Sequence, residues 1–550
     1  MYRITFIVIG LLVGLSSHAQ TEIFEKSSAY TRQDSLRGSI TPARAWWNLK
    51  HYDLSISVDL DARSISGKNI VRYEVLESMD VMHIDLQSPM KISQVTQNGK
   101  MLEVIDEGYA HFIQLENEQK KGAIEELTIE FEGTPPEAAN APWDGGFSWK
   151  KNSNGKPFVA TSNQGIGASL WWPCKDHGYD EPDEGQIIRI NVPEGLTAVG
   201  NGRLIDTQTK DNGTKTYVWK VINPINNYGV NVNIGDYVNF SEKYQGEKGE
   251  LDLDYWVLRE NEEKARKHFK EVPRTIEAFE HWFGPYPFYE DSYKLVEVPY
   301  LGMEHQSSVT YGNNYKNGYN GRGRSEYDFS GTGWGTKWDY IIIHETGHEW
   351  FANNVTYKDA ADMWIHEGFT AYSESLFTEY HFGKKAGSEY VIGTRRGISN
   401  QKPIIGEYDV NREGSRDMYS KGSNLLHTLR QIVNDDDLWR KTLRGLNKDF
   451  YHQTVTTKQV EDYISKSVGI DLRPFFNQYL RDHRIPTLEY KVEGGMVSYR
   501  WADVIDSFTM PVDVLINNQT KRLNPTGEWR DVSGSNIEVD FDYYVNTRKL

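Results

Sequence analysis

Cysteine is almost missing from this 550-residue chain: Cys174 is the only one, so no intramolecular disulfide can form. Its surroundings, "WWPCKD", read as a site for a small buried hydrophobe. Positive charge is also in deficit. Lys and Arg number 61 against 78 Asp and Glu, a formal net charge of −17, which argues against a nucleic-acid backbone as partner. Beyond the N-terminus no run is long and apolar enough to span a bilayer. Repeats of fixed period are absent too.

Composition places the chain among globular proteins, with 38% hydrophobic and 25% charged residues. The length suits two to four domains. The leader "MYRITFIVIGLLVGLSSHAQ" has Arg3 before an apolar run from Ile4 to Leu15, then the small-x-small site Ser17-His18-Ala19. That pattern predicts a cleavable signal peptide over 1–19. The run falls short of the ~20 residues of a spanning helix, and no cysteine follows to accept lipid. A periplasmic or secreted mature chain is expected.

From Trp47 to about 240 the dominant period is two. "HYDLSISVDL" puts Leu54, Ile56, Val58 and Leu60 on one face, and "KISQVTQNGKMLEVID" and "KTYVWKVINPINNYGVNVNIG" continue in that style. An antiparallel β domain over 20–243 is expected. Near 260 the period becomes helical. "NEEKARKHFKEVPRTIEAFEHWFG" ends at Gly284-Pro285, with Pro273 expected to kink or split it. A mainly α domain follows over 244–485. After Ile485-Pro486, "TLEYKVEGGMVSYRW" reads as a hairpin and Val512, Val514 and Ile516 alternate, predicting a small β domain over 486–550. The class is multidomain α+β. The Gly-, Asn- and Tyr-rich stretch 311–336 reads as a long polar loop, either a surface excursion or the wall of a site.

The chemistry concentrates in "IIIHETGHEWF", residues 341–351. On a helix, His344 and His348 lie one turn apart on one face, so both imidazoles can reach one ion. Glu345 lies about 100° round from His344, beside the pair, where it can serve a water as general base. This is the arrangement of a zinc peptidase centre. A catalytic zinc needs a third protein ligand and an open position. Glu367, nineteen residues after His348 in "MWIHEGFTAYSESLF", suits a turn back and a second antiparallel helix. Glu374, two turns further along that face, is either a carboxylate that orients a ligand histidine or a solvated surface acid. His305 and His366 have no spacing that makes them ligands and read as packing or surface residues.

HExxH, eighteen residues, then Glu within "WIHEGF" resembles the gluzincin aminopeptidases of the aminopeptidase N and leukotriene hydrolase type. "YLGMEHQ" at 300–306 looks like that family's GxMEN segment, and "MYSKGSNLLHTL" at 418–429 like its tyrosine–x–lysine–glycine segment. "HYDLSISVDL" looks like its opening strand and "SNQGIGASLWWPCKD" at 162–176 like its glutamine and PCxD segment. The likeness runs in order from about 48 to 490.

The resemblance implies a saddle-like β domain, a thermolysin-like catalytic domain and a small β-sandwich. It implies one zinc ion and peptide substrates with a free N-terminus. Glu304 would bind the α-ammonium through a charge-assisted hydrogen bond, with Met303 in the same substrate-binding segment. Tyr419 would donate to the oxyanion of the attacked carbonyl, and Gln164 would help hold the N-terminus.

There are departures. Leu301 stands for the first Gly of GxMEN and His305 for its Asn, and the 311–336 loop lengthens the gap to His344. Many members carry a large helical domain that closes the site, where this chain has a β tail. A more open site is expected, unless the loop or a partner covers it. Two other readings stand beside the aminopeptidase: an open-cleft zinc endopeptidase, and a non-enzymatic binding module on a peptidase fold, which the retained metal residues and base disfavour.

Overall fold

The computed structural model describes residues 30–550, so the expected leader lies outside the described residues. Strand Trp47–Asp59 alternates as its sequence demands, with Leu54, Ile56 and Val58 buried. Leu60 falls beyond the strand end. The strand is central in an eight-stranded sheet, antiparallel to Ser64–Val75. Its other neighbour, Gln186–Pro193, runs parallel to it, with Tyr52 opposite Gln186. The sheet is therefore not wholly antiparallel. Alternation reports which face is buried and carries no information on a partner's direction.

A four-stranded sheet (Thr197–Val199, Asn233–Gly235, Pro157–Ser162, Gly146–Lys151) shares the first core, which includes Trp171, Trp172 and Cys174. Cys174 is fully buried, and burial pushes its thiol well up, so it has no thiolate character.

From Tyr237 the chain builds a five-stranded sheet in the order Tyr237–Gly246, Gly249–Leu258, Tyr293–Glu297, Val309–Tyr311, Gly302–Met303. The edge strand Gly302–Met303 runs antiparallel to its neighbour, Met303 opposite Thr310. The helix pattern near 260 splits into Glu262–His268 and Glu271–Phe283. The break falls before Pro273, which sits in the first turn of the second helix, where its missing N–H leaves no bond unmade.

A second apolar core runs continuously from Leu251 to Tyr544. The hairpin Thr487–Glu493/Met496–Ala502 and strand Val512–Ile516 form two small C-terminal sheets. Their Trp501, Val512 and Val514 join this core. The Tyr479 hydroxyl donates to the Tyr544 carbonyl at 2.7 Å, and His427 Nε2 meets Asp542 at 2.8 Å. The β tail is thus packed as part of the catalytic body. No described helix is long and apolar enough to cross a membrane.

Candidate active site

Three helices deliver the site. The histidine helix, Tyr340–Gly347, is short and begins at Asp339, whose side chain accepts from the backbone N–H of Ile341 and Ile342. Its three isoleucines are buried. His348 is the helix's C-cap but keeps helical φ and ψ, so the i, i+4 relation survives and the two imidazole centroids stand 5.0 Å apart. The glutamate helix, Trp364–Phe382, carries Glu367 and Glu374. The tyrosine helix, Ser420–Val433, follows directly on Tyr419.

His344, His348 and Glu367 are all buried, with their ligating atoms within 4.8 Å of one another. His344 Nδ1 lies 2.7 Å from Glu374 Oε1, and the Tyr390 hydroxyl donates to Glu374 Oε2 at 2.6 Å. Glu374 is therefore not a solvated surface acid; it holds a ring. His348 Nδ1 lies 3.0 Å from the Phe351 carbonyl and 3.1 Å from the Thr370 hydroxyl. Both rings are held at Nδ1, which leaves Nε2 free to ligate. The two Nε2 atoms stand 3.7 and 3.4 Å from Glu367 Oε2, a buried oxygen without a hydrogen-bond donor. Burial disfavours the Glu367 charge, yet His348 and His344 outweigh it and hold that carboxyl well below its ordinary range. Glu304, Glu345, Glu367 and Glu374 meet only two imidazoles here. A divalent cation supplies the missing positive charge, and the two-nitrogen, one-oxygen donor set fits zinc.

Glu345 is buried beside the trio, and burial raises its pKa. Glu304, directly after the edge strand Gly302–Met303, is buried too; its Oε1 accepts from Gln164 Nε2 at 2.7 Å and from the Tyr228 hydroxyl at 3.2 Å. Oxygens of Glu304 and Glu345 and a nitrogen of His348 also lie within 4.8 Å of one another. Gln164 Nε2 reaches Glu367 Oε1 as well, at 2.9 Å. The Tyr419 ring stacks 6.2 Å from that of His344. Burial, then the Glu367 charge, pushes its phenol well up, so it stays a neutral donor.

Glycine explains how Tyr419 gets there. A Cβ on Gly422 would lie 2.8 Å from Gly368 Cα, and one on Gly368 would lie 3.2 Å from the Met418 carbonyl. The glycine after Glu367 and the glycine of "YSKG" let the two helices touch backbone to backbone. Gly302 does the same for the edge strand, where a Cβ would meet Ile341 Cγ2 at 2.5 Å.

His366 and His305 stand outside the metal trio. His366 Nε2 accepts from the Tyr357 N–H at 2.9 Å and its ring stacks on Tyr357, while His305 is fully buried and burial lowers its pKa to about 3. Several residues escaped the sequence reading. Asp339 had a legible signal, an acid directly before a helix start. Tyr228, Glu349 and Asn353 had none. Asn353 Nδ2 donates to the Glu304 carbonyl at 2.8 Å and to Glu349 Oε1 at 2.9 Å, and so fixes the backbone that presents Glu304.

The site opens into a cavity of about 660 Å³ lined by Glu304, Glu345, Tyr419 and Gln164, a volume usual for small-ligand sites. Tyr319, Arg322 and Phe329 of the Gly- and Tyr-rich loop line it too, so the loop is a wall of the site. Phe329 and Tyr340 rings meet at 5.0 Å, and Tyr340 stacks on His344. Leu301 packs against this loop: a Cβ on Gly321 would come within 2.9 Å of it. The Arg322 guanidinium lies 4.0 Å over the ring of Trp143, which also lines the cavity, tying the loop to the N-terminal sheets.

Comparison with known proteins agrees with this geometry. Leukotriene A-4 hydrolase of Xenopus laevis is 23% identical over 449 residues, 76% of this chain and 68% of that protein. Aminopeptidase B of Mus musculus is 26% identical over 343 residues, 58% of this chain and 48% of that protein. The chain thus spans about half to two thirds of the length of these curated relatives. An M1 zinc metallopeptidase mutant from Deinococcus radiodurans, bound to a Tyr-Ser-Ala substrate, shares the fold with a TM-score of 0.67 at 19% identity, covering 82% of this chain and 98% of that one. The profile of the peptidase M1 N-terminal domain matches residues 48–228 and that of the peptidase family M1 domain residues 268–479. With both regions matched in order and the zinc-binding trio assembled within the second, the chain belongs to the M1 peptidase family.

Proposed function

We propose that this chain is a zinc-dependent aminopeptidase that removes the N-terminal residue of peptides. The observation that carries the reading is Glu304, a buried carboxylate held by Gln164 and Tyr228 within reach of both the base and a metal ligand. A carboxyl group fixed there suits one partner, the α-ammonium of a free N-terminus, whose charge offsets the burial that raises the Glu304 pKa. Zinc held by His344, His348 and Glu367 supplies a Lewis acid that polarises a carbonyl and acidifies water. Glu345 accepts the proton of the attacking water and passes it to the leaving amine. Tyr419 donates its hydroxyl hydrogen to the developing oxyanion. The Tyr-Ser-Ala peptide bound by the Deinococcus protein supports a short peptide as the ligand here.

The test is a paired assay on the mature chain: amino-acid amide dyes with a free amine against their N-acetylated twins, with and without a zinc chelator. Chelator-sensitive cleavage of the free-amine form alone is expected. Equal cleavage of both would make the protein an endopeptidase and remove Glu304 from its assigned role.

The leader supports export by the same reading. Mass spectrometry of protein recovered outside the cytoplasm should find a chain beginning at Gln20; a chain beginning at Met1 would overturn it.

A further inference from the structure

Gln164 lies in the loop after strand Pro157–Ser162 of the N-terminal sheets, yet its side chain ends among catalytic residues. Its Nε2 stands 2.7 Å from Glu304 Oε1 and 2.9 Å from Glu367 Oε1. An amide nitrogen carries two hydrogens, and a carboxylate can only accept. Both hydrogens are therefore spent, and the partners dictate which way the amide faces.

The consequences differ at the two ends. On Glu367, Oε1 is held by Gln164 while Oε2, buried and without a donor, faces the two histidine Nε2 atoms. The amide thereby selects which oxygen of Glu367 is turned to the metal. On Glu304, Oε1 takes both Gln164 and Tyr228, which leaves Oε2 and the amide oxygen of Gln164 to accept from an ammonium.

We infer that Gln164 is a positioning residue of the metal centre: it orients Glu367 for ligation through one oxygen and ties that ligand to the carboxylate that receives the substrate amine. The inference rests on the zinc aminopeptidase reading, and it goes beyond a role in holding the substrate. A residue serving only the substrate would change KM and leave metal affinity alone. A residue that also sets Glu367 must change both, because a group that orients a metal ligand contributes to the metal's affinity.

The experiment is zinc titration of the metal-stripped mature chain against a chromophoric chelator, alongside kcat and KM on an amino-acid amide dye. The variants are Gln164→Leu and Gln164→Met, which keep the bulk and lose the amide, and Tyr228→Phe, which loses a donor to Glu304 alone. Thermal melts of the metal-free proteins check folding. Both Gln164 variants should bind zinc about 10- to 100-fold more weakly and show a raised KM. Tyr228→Phe should raise KM and hold zinc within about twofold of wild type.

Zinc affinity unchanged in both Gln164 variants overturns the inference. So does an equal loss of zinc in Tyr228→Phe, which would mark a general loosening of the site. A wild type that binds zinc but cleaves no peptide sinks the aminopeptidase reading alone, and the titration still decides the role of Gln164.

Discussion

At the scale of single residues, burial sets the chemistry. Glu345 can act as a base only because it stands beside the ligands without being one. Glu345→Gln should retain zinc and lower kcat by about 10²–10⁴-fold; a matched zinc content with unchanged kcat would remove it as the base. Its neighbour by motif, Glu349, does structural work. It accepts from the Tyr286 hydroxyl, the Ser307 N–H and Asn353, and burial raises its pKa to about 7. Below the unfolded carboxyl pKa of ~4.3, folded and unfolded chains are both protonated there. Between that pH and 7 the unfolded chain releases the proton and the folded chain keeps it, so this stability is lost as pH rises. Glu349→Gln removes that slope. Urea unfolding of the metal-stripped protein should show the variant gaining on wild type by up to about 3 kcal/mol from pH 5 to 8. An equal difference at both pH values would contradict it.

At the scale of elements, the site is a crossing of helices more than a motif. "WIHEGF" places Glu367 and "YSKG" places Tyr419, but their glycines decide the distance between the two. Gly422→Ala puts a methyl 2.8 Å from Gly368 Cα, and neither backbone has a flexible end to yield. The helices must separate, at a cost of about 1–3 kcal/mol. The expected result is a lower Tm and a kcat reduced by up to about 100-fold through a displaced Tyr419. An unchanged kcat would mean that the close crossing does not position the phenol.

At the scale of the whole molecule, the N-terminal sheets and the catalytic body meet at the site from opposite sides. Gln164 and Tyr228 come from the first, the metal residues from the second. The 311–336 loop lines the cavity and meets the N-terminal sheets through Arg322 over Trp143, two exposed side chains. Such a contact is worth about 0.5–1 kcal/mol, so losing it frees Arg322 at little cost while Arg396 still donates to the Phe329 carbonyl at 2.9 Å. Trp143→Ala should raise kcat/KM for long peptides by about two- to fivefold and leave a single-residue amide dye unaffected. A uniform change across lengths would show that the loop does not restrict entry.

The order β, α-rich, β was legible because burial period differs between strand and helix. The metal trio was legible because i, i+4 histidines on one helix need no tertiary information to face one ion. Glu367 followed from a returning helix. Whether Glu374 was a surface acid or a partner of His344 could not be read, since spacing along a helix does not reveal what packs against it. The parallel pairing of Trp47–Asp59 with Gln186–Pro193, the backbone contact of Gly368 with Gly422, and the bridging of Glu304 to Glu367 by Gln164 were decided by tertiary structure alone. Each joins residues far apart in the chain through a distance or direction that no local pattern encodes. The sequence by itself determined which groups could do the chemistry; the packing of three helices against two sets of sheets decided which of them meet.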